Sequence, residues 1–260
     1  PGVDAEVFEI LVAEGTGRLL VVRVTEGERK PYGTSGGVFK RRVGKNCMPL
    51  DPVEFQRARI STGAVDWSGA PAIGMELGDL DRLQIERARQ ILRSKDPSSG
   101  LIELSDVPFL EGLEALRGGR VTHAGMLLFA RRDVLVRHCP QAQFHYVYHD
   151  SETTVARNDL ERLPLLEAVE RIEHTFSGPM NPEKEIEIGL FKLRIPQFPI
   201  EGVREAVLNA LTHRDYQCPG EVLVRHSAQE LVVTSPGGFV DGITPSNILR
   251  HEAVPRNRTL

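Results

Sequence analysis

The first part of the chain alternates short apolar runs with glycine- and proline-rich breaks. Residues 18–24 (RLLVVRV) form a short, β-branched run, which predicts a buried strand rather than an amphipathic helix. A break at residues 31–37 (PYGTSGG) follows, and residues 38–43 (VFKRRV) resume as a second strand. We expect these two strands to form a hairpin with a flexible, basic far side.

A helix and a boundary follow this predicted hairpin. The helix is predicted from Pro49 to about Ile60, with Asp51 as its N-cap and Pro52 at its first helical position. A stretch rich in Gly, Ala and Pro at residues 61–74 then ends the unit. This stretch is the expected domain boundary.

The middle of the chain predicts a joining helix and then a mixed α/β module. The joining helix ends at Asp96, and its core side carries Leu80, Leu83, Ala88, Ile91 and Leu92. Residues 124–130 form a compact apolar segment, and residues 144–148 alternate as a strand with one wet face. Residues 163–176 predict another amphipathic helix.

The candidate chemistry lies on a helix predicted within residues 201–216 (EGVREAVLNALTHRDY). Its core side is formed by Val203, Val207, Ala210 and Leu211. Glu205, Asn209 and His213 are spaced by four, so they stack as a polar stripe roughly opposite the apolar side. Such a stripe can face either water or a ligand.

Nucleotide binding with magnesium is the chemistry that would use this polar stripe. An asparagine oxygen suits a hard cation, and a carboxylate one turn earlier can orient or deprotonate water. The spacing alone leaves a solvated helix face and a ligand site both open. We expect this stripe, with Glu205 and Asn209, to face a concave surface beside strands at residues 221–225 and 230–234.

The composition is that of an ordinary globular protein. Of 260 residues, 40% are hydrophobic and 26% are charged, which excludes the disordered and fibrous classes. No apolar run approaches the roughly 20 residues that cross a bilayer, and the beginning lacks the features of a signal peptide, so we expect a cytoplasmic protein. Because the chain begins at Pro1 rather than Met, we also expect a fragment. The three cysteines are far apart and have no zinc spacing, so reduced thiols are expected.

The charge restricts how this protein could contact DNA. A net charge of −4 argues against a protein that coats nucleic acid, so any DNA contact must come from a local patch. The candidate patch consists of Arg29, Lys30, Lys40, Arg41, Arg42 and Lys45. A solvated hairpin explains these charges equally well. In a nucleic-acid interface, Arg41 and Arg42 would both lie on the wet face.

Three further patterns suggest chemistry, but each lacks a required part. Residues 33–37 (GTSGG) fit the hydrolase pattern G-x-S-x-G, yet a strand follows where that pattern needs a helix. Residues 44–46 (GKN) lack the earlier glycine and the Ser or Thr of a phosphate loop. His145 and His149 are four apart on a strand without an evident third metal ligand, so surface or packed histidines are expected.

The sequence resembles a known family over nearly its whole length. Residues 204–216 (REAVLNALTHRDY) are very similar to the REA-x-x-NA-x-x-HRDY signature of bacterial RecG-like transcriptional regulators. Residues 235–239 (SPGGF) and 256–258 (RNR) recur in the order and approximate spacing of those proteins. Residues 122–129 (THAGMLLF) match their middle-module signature, and residues 31–44 resemble the end of an AlbA-type Schlafen domain.

The resemblance implies a mixed α+β protein in three parts. Residues 1–65 would be the C-terminal part of an AlbA-type Schlafen domain. Residues 66–180 would form a linker helix and a middle α/β module. Residues 181–260 would form a truncated GHKL-like domain of the ATPase type, with a helix on a sheet.

The resemblance also implies roles for individual residues. In GHKL ATPases the equivalent helix supplies a glutamate that activates water and an asparagine that binds magnesium, which maps these roles onto Glu205 and Asn209. His213, Gly237 and Gly238 are the further candidates for contact with a nucleotide. The implied cofactors are therefore ATP and Mg²⁺.

One departure from the GHKL pattern changes the functional expectation. GHKL ATPases have an adenine-recognising aspartate before a glycine, whereas residues 235–237 here read SPG. The chain also ends before a glycine-rich lid motif. The resemblance thus implies a DNA-binding transcriptional regulator with a degenerate GHKL-like module as sensor or scaffold, and with DNA and a second copy of the chain as candidate partners. Two alternatives stay open: an ATP-dependent enzyme acting with DNA, and a structural or dimerisation module without a ligand.

Overall fold

The protein has a mixed α+β fold, as the sequence predicts. The computed structural model describes residues 5–11, 17–24, 33–34, 36–151, 154–178, 180–240, 242–252 and 254–260. Two compact units are present: Pro1–Ala64 with Phe239–Glu252, and Val65–Gly238 with Ala253–Leu260. The division into three domains stays a prediction. Among the described helices, none combines the length and the apolar character that crossing a membrane requires.

The first unit contains two short antiparallel sheets and a helix in its described residues. Their bounds are β1 Ala5–Leu11, β2 Arg18–Val24, β3 Lys40–Val43, β4 Asn46–Pro49 and α1 Pro52–Ser61. β1 pairs with β2, and β3 pairs with β4. The expected hairpin between residues 18–24 and 38–43 is therefore wrong. Each strand pairs with a nearer neighbour, because a shorter loop costs less entropy to close.

A glycine turn and a helix N-cap shape the segment from β3 to α1 in the first unit. Gly44 has a φ of 58° and occupies the first position of the two-residue loop between β3 and β4. A type II′ hairpin turn needs glycine there. α1 begins after Asp51, whose Oδ1 accepts a hydrogen bond from the Val53 amide at 2.7 Å. The predicted N-cap at Asp51 and the predicted position of Pro52 are confirmed.

The second unit is built around a four-stranded sheet. Its helices are α2 Arg82–Lys95, α3 Asp106–Gly112, α4 His123–Phe129, α5 Arg132–His138, α6 Leu165–Phe176 and α7 Ile200–Thr212. Its strands are β5 Leu116–Arg117, β6 Arg120–Val121, β7 Gln143–His149, β8 Val155–Glu161, β9 Glu183–Ile188, β10 Phe191–Pro196, β11 Glu221–Ser227 and β12 Leu231–Thr234.

The four-stranded sheet has the order β12-β11-β7-β8. β11 runs parallel to β7, while the other two pairings are antiparallel. Alternate side chains of β7 and β11 are buried: Phe144, Tyr146, Val222 and Val224. They join one hydrophobic core with α6 and α7. The predicted strand at residues 144–148 and the predicted helix at residues 163–176 are confirmed.

The buried side of α2 differs from the expectation. Leu83 and Ile91 were expected on the core side but are exposed, while Ile85 and Arg89 are buried. Arg89 donates to the Ile102 carbonyl oxygen at 2.8 Å and pairs with Asp106 at 2.9 Å. Its guanidinium also lies 4.2 Å from the Phe109 ring centroid, so its charge is compensated on the buried side of the helix, where the apolar pattern did not place it.

The motif at residues 122–129 is a packing element. Thr122 is the N-cap of α4: its Oγ1 accepts from the Gly125 amide at 3.0 Å and donates to the Glu114 carbonyl oxygen at 2.9 Å. A Cβ added to Gly125 would lie 2.2 Å from the Ala115 carbonyl oxygen. Glycine is therefore required where α4 approaches this backbone.

A buried histidine lies between the sheet and α6. His226 is 1% exposed and forms a 2.8 Å hydrogen bond between its Nδ1 and the Tyr146 hydroxyl. Its ring stacks on Phe176 with centroids 4.7 Å apart, and Phe198 packs edge-on against it. Burial lowers the pKa of His226 to about 4, so the imidazole is neutral at pH 7.

Candidate ligand face on helix α7

The apolar side of α7 faces the core, and this overturns one expectation about the site. Val203, Val207, Ala210 and Leu211 are buried as predicted. They fill the space beside β11 and β12, where Glu205 and Asn209 were expected to point. Both polar residues are instead exposed. A dry interface between a helix and a sheet favours apolar side chains, because an unpaired carboxylate there would lose its hydration.

The polar stripe therefore lies on the outer surface of α7. The Asn209 Nδ2 donates to the Glu205 Oε1 at 3.0 Å. Within the described residues, nothing donates a hydrogen bond to the Asn209 Oδ1. The carboxylate thus fixes the amide with its oxygen available to a ligand or to water.

His213 completes the stripe at the C-cap of α7. It is half-buried, and burial together with the nearby charge of Arg256 lowers its pKa. In the described part of the chain its ring makes no hydrogen bond. A neutral imidazole can accept one hydrogen bond and donate another to a bound molecule.

The next residues of the same motif are buried and structural. Arg214 is 1% exposed and donates to three backbone carbonyl oxygens, those of Gln141, Gln143 and Gly220. Tyr216 is also buried, and its hydroxyl donates to the Leu211 carbonyl oxygen at 2.9 Å. These contacts connect the end of α7 to the beginnings of β7 and β11.

A buried ion pair holds the C-terminal residues against the end of α7. Asp215 and Arg256 are 3% and 2% exposed, and their Oδ2 and Nη1 atoms are 3.7 Å apart. Arg256 also donates to the His213 carbonyl oxygen at 3.0 Å. The Asn257 Nδ2 donates to the carbonyl oxygens of Thr212 at 2.7 Å and Arg214 at 2.9 Å. We call Arg214, Asp215, Arg256 and Asn257 the buried polar network.

Gly237 and Gly238, the other nucleotide-contact candidates, lie against this buried polar network. Gly237 has a φ of 114°, and a Cβ added to it would lie 2.9 Å from the Asp215 Cβ. The Asp215 amide donates to the Pro236 carbonyl oxygen at 2.9 Å, and the Gly238 carbonyl oxygen accepts from Arg256 at 2.6 Å. Close backbone packing therefore accounts for Gly237 without a ligand.

The candidate DNA contacts lie on the β3–β4 hairpin, where Lys40, Arg41, Arg42 and Lys45 are all exposed. Arg41 Nη1 lies 2.8 Å from the Glu54 Oε1 on α1. Because side chains alternate along a strand, Lys40 and Arg42 lie on the opposite face from Arg41. Arg41 and Arg42 are thus both exposed on the hairpin as predicted, but they lie on opposite faces and do not share one wet face. Arg29 and Lys30 lie outside the described residues.

Among the described residues, the other sequence patterns contribute no further site. The His145 ring contacts the Glu221 Oε1 at 3.4 Å and the Asn158 Oδ1, so its nitrogens have partners. No group of three or more potential metal ligands occurs among the residues that the structure describes. Gly44 and Lys45 form the β3–β4 loop, and Ser35 lies outside the described residues.

Two comparisons with known proteins gave a similarity. A family described as a domain of unknown function, DUF8451, matches residues 57–145, which is less than half of the chain. The crystal structure of the DIP2311 protein from Corynebacterium diphtheriae is similar, with a TM-score of 0.61 and 26% sequence identity. The alignment covers 98% of this chain and 50% of that protein, so the chain spans about half of its length. The comparison with curated proteins found no similar sequence.

Sequence reasoning did not foresee the buried polar network. It identified residues 256–258 as a recurring motif but gave no role to Arg256 or Asn257. It also missed Trp67, which stacks on His123 with centroids 4.0 Å apart and on Tyr216 with centroids 5.7 Å apart. The recurrence of Arg-Asn-Arg downstream of residues 204–216 was a usable signal, since polar residues fixed at a distance from a helix end can cap it.

Proposed function

We propose that this chain is part of a DNA-binding transcriptional regulator. In this proposal the α7 module is a degenerate GHKL-like nucleotide site that acts as a sensor or scaffold. The resemblance of residues 204–216, 235–239 and 256–258 to RecG-like regulators supplies the functional class. The geometry of α7 supports a sensor or scaffold over an ATPase.

The observation that carries the proposal is the division of one motif into a buried and an exposed half. Arg214, Asp215 and Tyr216 are buried and fasten α7 to its surroundings. Glu205 and Asn209 are exposed and lie outside the hydrophobic core. The hydrogen bond to Glu205 one turn earlier leaves the Asn209 Oδ1 without a donor among the described residues, an arrangement that a hydrated cation or a nucleotide can use.

The same geometry argues against tight nucleotide binding. Adenine recognition needs an available carboxylate, and position 235 is a serine. The neighbouring carboxylate of Asp215 is buried and paired with Arg256. Glu205 and Asn209 are open to water, so contacts to a phosphate or a magnesium ion would be screened and weak.

The exposed cations of the β3–β4 hairpin support the DNA-binding part. Lys40, Arg42 and Lys45 form no ion pair among the described residues, whereas the charge of Arg41 is neutralised by Glu54. Unpaired cations on one surface are what phosphate contact requires. A local patch of this kind is compatible with the overall net charge of −4.

A salt-dependent DNA titration tests this function. The protein is titrated into a fluorescent random-sequence duplex at several salt concentrations, and anisotropy gives the affinity. Lys40→Gln with Arg42→Gln should weaken binding and reduce the slope of log K against log salt by about 2, because two phosphate contacts are lost.

Arg41→Gln is the matched control on the same strand. Its charge is already paired with Glu54, so its affinity and salt slope should stay close to those of the unchanged protein. Unchanged binding in the double variant would remove the hairpin from the interface. An equal loss in Arg41→Gln would show that the hairpin face has been assigned wrongly.

One observation favours a second candidate, the GHKL-type ATPase. The hydrogen bond from Asn209 to Glu205 keeps both residues that such an enzyme uses for magnesium and water within 3.0 Å of each other. This alternative requires saturable ATP binding that depends on Asn209.

A further inference from the structure

The hairpin between α6 and α7 has a surface that the described residues leave uncovered. β9 (Glu183–Ile188) pairs antiparallel with β10 (Phe191–Pro196), with Ile188 opposite Phe191. Every residue from 182 to 195 is exposed. The hairpin therefore projects from the second unit with both of its faces in solvent.

The two faces of this hairpin differ sharply in chemistry. One face, which we call the apolar face, carries Ile186, Ile188, Phe191, Leu193 and Ile195, each between 42% and 74% exposed. The opposite face carries Glu183, Glu185, Glu187, Lys192 and Arg194. On that face Lys192 lies 2.8 Å from the Glu185 Oε1 and 3.3 Å from the Glu187 Oε1. The charged face is thus suited to water, and the apolar face is not.

The base of the hairpin is held in place by one buried side chain. Asn181 is 6% exposed, and its Nδ2 donates to the carbonyl oxygens of Phe176 at 3.0 Å and Phe198 at 2.7 Å. The Phe198 amide donates back to the Asn181 Oδ1 at 2.9 Å. Both legs of the hairpin are therefore anchored to the core, which presents the apolar face in a defined direction.

We propose that the apolar face packs against the same face of a second copy of this chain around a two-fold axis. Isolated two-stranded hairpins are marginally stable in water, and large exposed apolar patches mark interaction surfaces. With Leu190 of the turn, the exposed area is on the order of 700 Å² per copy, close to the roughly 800 Å² per partner of a standard interface. Two-fold pairing buries this area without requiring a different partner.

The charge distribution fits this occupant. Lys184 is the charged residue on the apolar face, and it lies at the base of the hairpin, opposite Ile195. The centre of the proposed interface is therefore free of like charges. The charged face has three glutamates against one lysine and one arginine, a balance that disfavours an anionic lipid surface or DNA as the occupant.

Sedimentation velocity of the full chain across the micromolar range tests the proposal, with reductant present because Cys47 is exposed. The unchanged chain should sediment as a dimer. Phe191→Gln with Leu193→Gln should raise the dimer dissociation constant at least about 100-fold, because two apolar anchors are lost from each copy. The matched control, Lys192→Gln with Arg194→Gln, introduces two glutamines on the charged face of the same strand and should leave the dimer intact.

Each other outcome overturns the proposal. An unchanged chain that is monomeric throughout the range refutes it without any variant, even if the Phe191 and Leu193 variant fails to fold. A dimer that survives the apolar-face changes, or that the charged-face changes disrupt equally, places the interface elsewhere. These results are independent of DNA and nucleotide binding, so the proposed function is tested separately.

Discussion

Several single residues of this protein have roles that depend on neighbours distant in the sequence. Gly125 and Gly237 are needed because a backbone carbonyl and a side-chain Cβ lie where a larger residue would place its own Cβ. Arg89 is buried because a carbonyl, a carboxylate and an aromatic ring surround it. The sequence showed these residues in motifs or patterns, but their partners are distant in the chain, so their roles could not be predicted from it.

His226 gives a residue-scale prediction about pH. Its pKa falls from about 6.5 when unfolded to about 4 when folded, so the unfolded chain binds the extra proton. The stability is fully present above pH 6.5 and is lost as the pH falls toward 4. At pH 4.5 the loss due to His226 should be about 2 kcal/mol relative to pH 7.

Urea unfolding at pH 7 and pH 4.5, compared with His226→Phe, isolates this contribution. His123 and His213 also have lowered pKa values because of burial, and they act in the same direction in both proteins. The variant should lose less stability on acidification than the unchanged chain. Equal losses would mean that His226 does not resist protonation in the folded state.

At the scale of elements, the hydrophobic periodicity predicted which helices and strands form, but it did not always predict which strands pair. Helix α7 and the strands β7, β11 and β12 could be predicted from their apolar spacing, because each of these elements buries one face. The partners of β2 and β3 were mistaken, because pairing depends on loop closure and on strands outside the pattern considered. Register and pairing are properties of two segments together.

The buried polar network gives an element-scale prediction about α7. Asp215→Asn leaves the buried Arg256 without its countercharge and should destabilise the second unit by about 3 kcal/mol. Glu205→Gln, on the exposed side of the same helix, should change stability by less than about 0.5 kcal/mol. The fluorescence of Trp67, the single tryptophan, reports on this unit because its ring stacks on Tyr216.

Equal effects of these two substitutions would contradict the division of the motif. If Glu205→Gln were the more destabilising change, the polar stripe would be structural. In that case the exposed half of the motif would no longer indicate a ligand.

At the scale of the whole molecule, the chain presents three surfaces with different chemistry. The β3–β4 hairpin offers cations, α7 offers an ordered amide and carboxylate, and the β9–β10 hairpin offers an apolar face. The family resemblance directed attention to α7 and the basic patch, since those residues stand in motifs. The resemblance does not point to the β9–β10 hairpin. That hairpin is identified by its exposed apolar face, which the rest of the described chain leaves uncovered.

A calorimetric titration of the chain with ATP and Mg²⁺, repeated with Asn209→Ala, tests the proposed degenerate nucleotide site. We expect weak binding, with a dissociation constant of about 1 mM or higher, or no measurable heat, because the stripe is open to water and the resemblance to GHKL ATPases implies that Ser235 stands in place of their adenine-recognising aspartate. Glu201→Ala, an exposed change in the first turn of the same helix, is the control and should behave as the unchanged chain. Micromolar binding of ATP that is lost in Asn209→Ala but kept in Glu201→Ala would rule out a degenerate site and favour the ATPase.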